Sequence, residues 1–207
     1  MQEKLIVKPK QKRSILTKQK IKKAARQLFA EKGYYAITSN NIAATAKVPI
    51  GSFYNYFGNK KGVLLELIQE FNDAFHSETL EQDRNEIQQL NSKKEVLQFL
   101  PTSIKRNVLS PILADPFYKI IHALQFTEPD VLQLSEEIRT AEIKSLILFL
   151  QKINEFHPVQ DIPLTAKIMH STIENIILYI HHLGTKHEQD ALIQKTAKMF
   201  YGLLFHA

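Results

Sequence analysis

Residues 38–60 of this chain read TSNNIAATAKVPIGSFYNYFGNK, and this stretch predicts two short helices joined by a tight turn. Thr38 can cap the first helix, because a threonine hydroxyl accepts a hydrogen bond from the free amides of a first turn. Ile42 and Ala46 recur at helical spacing on one face of that helix. Pro49 suits the first position of the second helix, where its missing N–H would have no partner and its fixed φ is already helical.

Two helices of one to two turns have too little apolar surface to form a core by themselves. Their small buried faces must therefore rest on a neighbouring helix, while the second helix projects outward. Such a pair is typical of a helix-turn-helix DNA reader. The supporting helix is predicted at Ser14–Lys32, with Gly33 at its C-terminal cap. Ile21, Ala25 and Leu28 lie on one face of this helix.

The stretch resembles the DNA-binding domain of the TetR family of transcriptional regulators, over roughly residues 18–67. The residues that carry the resemblance keep the order and spacing of the family: Thr38, Ile42, Ala43, Ala46, Val48, Gly51, Tyr54, Phe57 and Lys60.

The chain departs from the family at three positions of this stretch. Lys47 stands where the family usually has a turn glycine, and Pro49 stands where it often has serine. A non-glycine residue in the left-handed region costs about 1 kcal/mol, so the turn is expected to be either strained or differently shaped. Asn41 replaces the acidic third residue of the capping box, which predicts a weaker cap.

The resemblance implies an all-α fold, with an N-terminal helix-turn-helix domain and a C-terminal helical domain for ligand binding and dimerisation. We expect a basic arm at residues 1–13, the DNA-binding domain at 14–62, and the effector-binding and dimerisation domain at 63–207. The expected function is that of a repressor, released from a palindromic double-stranded DNA operator by a small apolar or amphipathic effector. Two alternatives remain, a TetR-like activator and a nucleoid-like protein that binds DNA without sequence preference or effector.

Charge is distributed unevenly along the chain. Residues 1–62 hold 14 Lys and Arg against two acidic residues, a formal charge of +12, while the rest hold 13 bases and 19 acids, a formal charge of −6. A basic N-terminal segment on an acidic remainder points to phosphates as a partner. Taken alone, the charge would equally fit a lysine-rich terminus that is merely solvated.

The second helix of the motif, Pro49–Tyr56, is predicted to lie in the major groove, with phosphate contacts on either side of it. A lysine at a helix N-terminus opposes the helix dipole unless an anion is bound, and this favours Lys60 as a phosphate ligand. Ser52, Pro49 and Ile50 are expected to face base edges. The predicted DNA-binding residues are Thr38, Ser39, Pro49, Ile50, Ser52, Tyr54, Asn55 and Lys60.

The remainder of the chain reads as helical. A fourth helix from Lys60, with an apolar stripe through Phe71 and Phe75, should link the basic segment to the acidic one. On the last two predicted helices, Pro163–Leu183 and His187–His206, apolar residues cover about half the circumference. One core contact does not need so wide a face, so we expect a homodimer through a four-helix bundle, with a thick monomeric core as the alternative. The predicted interface residues are Ile173, Ile176, Ile180, Leu183, Leu192, Phe200, Leu203 and Leu204.

Aromatic residues of the C-terminal region could line an apolar cavity, although the same residues would also describe a plain core. TetR-like proteins usually hold an inducer pocket in this region, and the resemblance therefore favours a cavity, with His170 or Glu174 as polar anchors. The predicted pocket residues are Phe71, Phe75, Phe99, Phe117, Tyr118, His122, Phe126, Phe149, His170 and Glu174.

Several function classes lack their sequence signals. The chain has no cysteine, and its eight histidines show no metal-ligand spacing, so we expect no disulfide, no metal and no cofactor. The absence of a Gly-rich phosphate loop and of a nucleophile elbow argues against an enzyme. No apolar run is long enough for a membrane span and no signal peptide is evident, which predicts a cytoplasmic protein.

Overall fold

The computed structural model describes residues 12–182 and 186–205, and these form nine α-helices and one 3-10 helix, without a strand. The all-α prediction is confirmed. The helices are α1 Lys12–Lys32, α2 Ser39–Thr45, α3 Ile50–Tyr56, α4 Lys60–Ile87, α5 Lys93–Val108, the 3-10 helix Pro111–Ala114, α6 Pro116–Leu124, α7 Pro129–Asn154, α8 Ile162–His182 and α9 Lys186–Phe205. Most of the predicted basic arm, and the predicted interface residue Leu183, lie outside the described residues.

The chain divides into two compact units, each with its own core. The head unit contains the described residues up to Asn72 together with Asp115–Leu134, and the body unit contains Asp73–Ala114 and the described residues from Ser135 onward. Helices α4 and α7 each begin in the head unit and end in the body unit. The sequence predicted a domain boundary after residue 62. It did not indicate that a later segment, Asp115–Leu134, belongs to the same unit as the helix-turn-helix.

Long-range contacts of α1 and α4 explain why that segment joins the head unit. Helix α6 packs against α1, where Arg26 forms an ion pair with Asp115 at 2.7 Å. The ring of Phe71 on α4 stacks on Tyr118, with 5.9 Å between the ring centroids and 12° between their planes. Phe117 is fully buried. No local pattern in the sequence predicts these contacts, because the two residues of each contact lie about 50 to 90 positions apart.

Inside the head unit, α1 supports the two short helices as expected. Fully buried side chains from all three helices meet there, among them Phe29 of α1, Ile42 of α2 and Phe53 of α3. Burying an aliphatic or aromatic side chain of this size stabilises a fold by about 1.5–3 kcal/mol. The buried faces are small, so α2 and α3 depend on α1 for most of their stability.

In the body unit, α5 packs along α9, and α8 packs against both. The packing corrects part of the predicted dimer interface. Ile180, Phe200 and Leu204 are at most 5% exposed within the single chain, so they belong to its own core and are not available to a partner. The remaining described members of the set, Ile173, Ile176, Leu192 and Leu203, are partly exposed. A wide apolar arc in a sequence does not reveal which of its edges points inward.

Candidate nucleic-acid interface

The first helix of the motif begins with a complete capping box. The Thr38 hydroxyl accepts a hydrogen bond from the Asn41 amide at 3.2 Å, and the Thr38 amide donates to Asn41 Oδ1 at 2.9 Å. The sequence predicted a cap that Asn41 weakens without abolishing it, and the cap is present, because the neutral amide oxygen accepts the same hydrogen bond as a carboxylate. Its weaker strength stays a prediction. The Thr38 hydroxyl also donates to Asn41 Oδ1 at 2.7 Å. A phosphate contact from Thr38 would have to replace that bond.

The turn between α2 and α3 adopts the strained form of the two that were expected. Lys47 has a φ of 55°, in the left-handed region. The turn is closed by two hydrogen bonds, from the Lys47 amide to the Ala44 carbonyl and from the Val48 amide to the Ala43 carbonyl, both 3.0 Å long. Pro49 has an extended ψ of 143° and is the N-cap, so α3 begins one residue later than predicted.

The outer surface of α3 is available to a large partner. Pro49, Ile50, Gly51, Tyr54 and Asn55 are exposed, whereas Phe53 is buried against the head core. Two other predicted contact residues, Ser39 and Ser52, are only partly exposed. Of the three residues predicted to face base edges, Pro49 and Ile50 are thus more exposed than Ser52.

The Lys60 ammonium is hydrogen-bonded to backbone carbonyls of the head unit. Its ammonium donates to the carbonyls of Tyr34 and Ile37, at 2.8 Å each, and lies 4.2 Å from the centre of the Tyr34 ring. Burial lowers the pKa of Lys60, and the nearby Glu128 carboxylate opposes this effect. The contacts join the loop after α1 to the start of α4. An ammonium has three N–H donors, so one remains for a phosphate, and the predicted phosphate contact stays a prediction.

Much of the basic charge of the head unit is neutralised within the fold. On one face of α1, Lys18 pairs with Glu66 at 2.6 Å, and Lys22 pairs with Glu66 and Glu70 of α4. Burial opposes the charge of Lys22, but its hydrogen bonds to Glu70 and Glu66 raise the pKa.

Two further basic residues of the head unit are paired in the same way, Arg26 with Asp115 and Lys61 with Asp130. Within the described part of the chain, the head-unit cations without an ion pair or side-chain hydrogen bond are Arg13, Lys20, Lys23, Lys32, Lys47 and Lys119, and all are exposed. The charge available to a nucleic acid is thus much smaller than +12 suggests.

The predicted effector residues divide equally between the units. The head unit holds Phe71, Phe117, Tyr118, His122 and Phe126, and the body unit holds Phe75, Phe99, Phe149, His170 and Glu174. Phe126 is 76% exposed, which corrects its assignment to an interior cavity. Phe99 and Phe149 pack together with 5.6 Å between their ring centroids.

One polar cluster of the body unit was not recognised from the sequence. The Glu142 carboxylate on α7 accepts hydrogen bonds from Nε2 of His170 on α8, at 2.8 Å, and from Nε2 of His76 on α4, at 3.2 Å. Burial opposes ionisation of Glu142, yet the hydrogen bonds and charges of His170 and His76 lower its pKa to about 2. Nδ1 of His170 is buried and has no hydrogen-bond partner among the described residues. Glu174, the other predicted anchor, is held by Arg139 at 3.3 Å.

Within the part of the chain that the structure describes, no three His, Asp or Glu side chains are arranged to hold a metal ion. None of the described helices is long and apolar enough to cross a membrane.

Residues 21–67 match the family model described as bacterial regulatory proteins of the tetR family. The chain is 42% identical over 55 residues to the HTH-type transcriptional regulator HbdR of Aromatoleum sp. (strain CIB). That match covers 27% of this chain and 24% of the relative, so the chain spans only about a quarter of the relative's length.

Solved structures resemble the whole chain at low sequence identity. The fatty acid degradation regulator FadR from Bacillus halodurans has a TM-score of 0.67 and 22% identity, covering 97% of this chain and 100% of that one. FadR from Bacillus subtilis, solved in complex with stearoyl-CoA, has a TM-score of 0.63 and 20% identity, covering 90% and 98%. At these identities the likeness is one of fold. The helix-turn-helix segment therefore matches the tetR family of bacterial regulatory proteins, and the chain shares its fold with solved regulators along nearly its whole length.

Proposed function

We propose that this regulator is a dimeric repressor that binds a roughly palindromic DNA duplex and is released by a small apolar or amphipathic effector. The DNA-binding part of the proposal rests on the exposed outer surface of α3. The opposite side of α3 packs against α1. In a helix-turn-helix dimer the two second helices enter successive major grooves, about 34–36 Å apart. Base edges then face Pro49, Ile50, Ser52 and Asn55.

The remaining predicted contacts position the protein on the duplex. Thr38, Ser39, Tyr54 and Lys60 are proposed to hold phosphates beside the groove. Such contacts set register without reading sequence. For Lys60 the proposal concerns only the third N–H of its ammonium, since two already bind carbonyls.

The DNA-binding proposal predicts sequence preference. A duplex selected by the protein from a random pool should bind at least about a thousandfold more tightly than an unselected duplex of equal length, as specific readers typically do. Gel retardation of both duplexes at one fixed salt concentration measures this ratio. A palindromic selected sequence would support the dimer. Equal retardation of the two duplexes would instead favour the nucleoid-like alternative.

Dimerisation is proposed through the outward faces of α8 and α9. Leu164, Ile168 and Tyr179 are 53%, 45% and 39% exposed, and their spacing of about one and three helical turns places them on one face of α8. Met199 of α9 is 50% exposed. These side chains, with the partly exposed Ile176, replace the buried members of the interface predicted from sequence.

The dimer proposal predicts that Ile168→Glu weakens association about tenfold or more, because an unpaired charge would be buried between apolar faces. Sedimentation over a range of protein concentrations measures the dissociation constant. Leu97→Glu is a matched control, since Leu97 on α5 is 47% exposed. A folded Ile168→Glu protein with unchanged association would reject this interface.

The effector is proposed to bind in the body unit, where His170 is a better polar anchor than Glu174. Its buried Nδ1 lacks a partner among the described residues, whereas the Glu174 carboxylate is held by Arg139. Phe75, Phe99 and Phe149 would supply apolar surface. The stearoyl-CoA bound to FadR of Bacillus subtilis is amphipathic, and it supports an effector of that class. A release assay with acyl compounds on the selected duplex tests the proposal.

A further inference from the structure

Lys47 occupies a backbone conformation that suits glycine better than lysine. It lies in the turn between α2 and α3 with a φ of 55°. A residue with a Cβ is strained in this region, whereas a glycine adopts it without strain. Strain of this kind persists where the surrounding structure imposes it, and it is concentrated at functional positions.

The side chain of Lys47 has no role inside the described part of the fold. It is exposed, and it makes no ion pair or hydrogen bond with any described residue. Lys22 and Lys61, by contrast, are paired with carboxylates, and Lys60 binds two carbonyls. The strain at Lys47 is therefore not offset by an intramolecular contact of its ammonium.

The position of Lys47 suggests what its charge is for. It precedes Pro49 and Ile50, the first exposed residues of the proposed reading surface, by two and three positions. A helix in the major groove has phosphates on both sides of it. A flexible lysine beside its first turn can therefore place a point charge on the DNA backbone without entering the groove.

We propose that Lys47 binds a DNA phosphate beside the groove that α3 reads, an inference that rests on the proposed DNA-binding function. The contact is ionic and independent of sequence. Forming it releases a counterion from the duplex, so it contributes to both specific and non-specific binding. It is a contact that the turn glycine usual in this family could not make.

The test is the Lys47→Gly variant, because this change should raise the stability of the protein and lower its affinity for DNA. Relief of this strain should raise the melting temperature by about 2–4 °C. DNA affinity should nevertheless fall, on a selected duplex and on a random one alike. The slope of log affinity against log salt should become shallower by about one per lost contact, hence by about two for a dimer. Lys47→Asn, which also tolerates a positive φ, should behave similarly.

Lys144→Ala is the matched control, because Lys144 is an exposed lysine of the body unit without an ion pair among the described residues. It removes the same charge and should leave the salt slope unchanged. If Lys47→Gly raises the melting temperature but leaves affinity and slope unaltered, the inference is overturned and the lysine is merely solvated. A loss confined to the selected duplex would also overturn it, because Lys47 would then read bases. A wild-type protein that retards neither duplex would overturn the proposed DNA-binding function itself.

Discussion

Replacing Asp83 with alanine is expected to lower the free energy of unfolding by about 3–5 kcal/mol, the cost typical of breaking a buried ion pair from one side. Asp83 is 6% exposed and lies on α4 within the body unit. Its carboxylate accepts hydrogen bonds from Arg106, from Ser103 Oγ at 2.7 Å and from Asn107 Nδ2 at 2.9 Å, all on α5. Without it, three half-buried side chains lose an acceptor at once, and Arg106 keeps only Glu86.

Denaturant unfolding of the two proteins measures the effect, with equal slopes required for the comparison. Glu81→Ala is the control, since Glu81 is an exposed carboxylate on the same helix, and it should change stability by less than about 0.5 kcal/mol. Adding Arg106→Ala to Asp83→Ala should cost less than the two changes summed, because the second removes a guanidinium that the first left with only one of its two carboxylate partners, Glu86. A loss below about 1 kcal/mol for Asp83→Ala would show that the ion pair contributes little.

The second large expected effect is that the free energy of unfolding depends on pH because of the Glu142 carboxylate. Its pKa is about 2 in the folded chain and about 4.5 when unperturbed. Between these values the unfolded state binds more protons than the folded state, so stability rises with pH across the window. The contribution is fully present above about pH 4.5 and is lost as pH falls to 2. At about 1.4 kcal/mol for each pKa unit, and with a discount for partial exposure, it amounts to about 2–3 kcal/mol.

The Glu142→Gln variant tests this directly. At pH 6 it should be less stable than the wild type by about 2–3 kcal/mol, and most of that difference should disappear by pH 3. Glu81→Gln provides the matched control, because it removes an exposed carboxylate and should change stability only slightly. A difference for Glu142→Gln that stays constant from pH 6 to pH 3 would mean that the carboxylate's charge is not what His170 and His76 stabilise.

Local hydrogen bonding explains which features of the fold were predictable. Thr38 caps α2, and Asp115 caps α6 with Pro116 as the first helical residue. Each of these depends on atoms within four residues of one another, so the residue types alone decide the outcome. Lys47 belongs to the same class, because the turn that contains it is closed by hydrogen bonds to residues three and five positions earlier.

Features that join distant segments could not be predicted in this way. Lys60 was predicted only to bind a phosphate, and no local pattern indicated that the carbonyls of Tyr34 and Ile37 reach it from the loop after α1. The Glu142 cluster joins three helices whose residues lie 28 and 66 positions apart. A carboxylate and two imidazoles this far apart form no recognisable motif in the sequence. They come together only because the three helices that hold them pack against one another.

The amino-acid sequence by itself determined the helical class, the helix-turn-helix and its caps, since these follow from periodicity and from short-range hydrogen bonds. Only the tertiary structure decided which charges and which apolar faces remain available to partners. Lys22 and Lys47 are both lysines of the basic segment, yet one is paired with Glu66 and Glu70 and the other is exposed. Ile168 and Ile180 lie on the same apolar helix, yet one is 45% exposed and the other 5%. The physical reason is that burial and ion pairing depend on which helices pack together, and that choice is made by contacts between residues far apart in the chain.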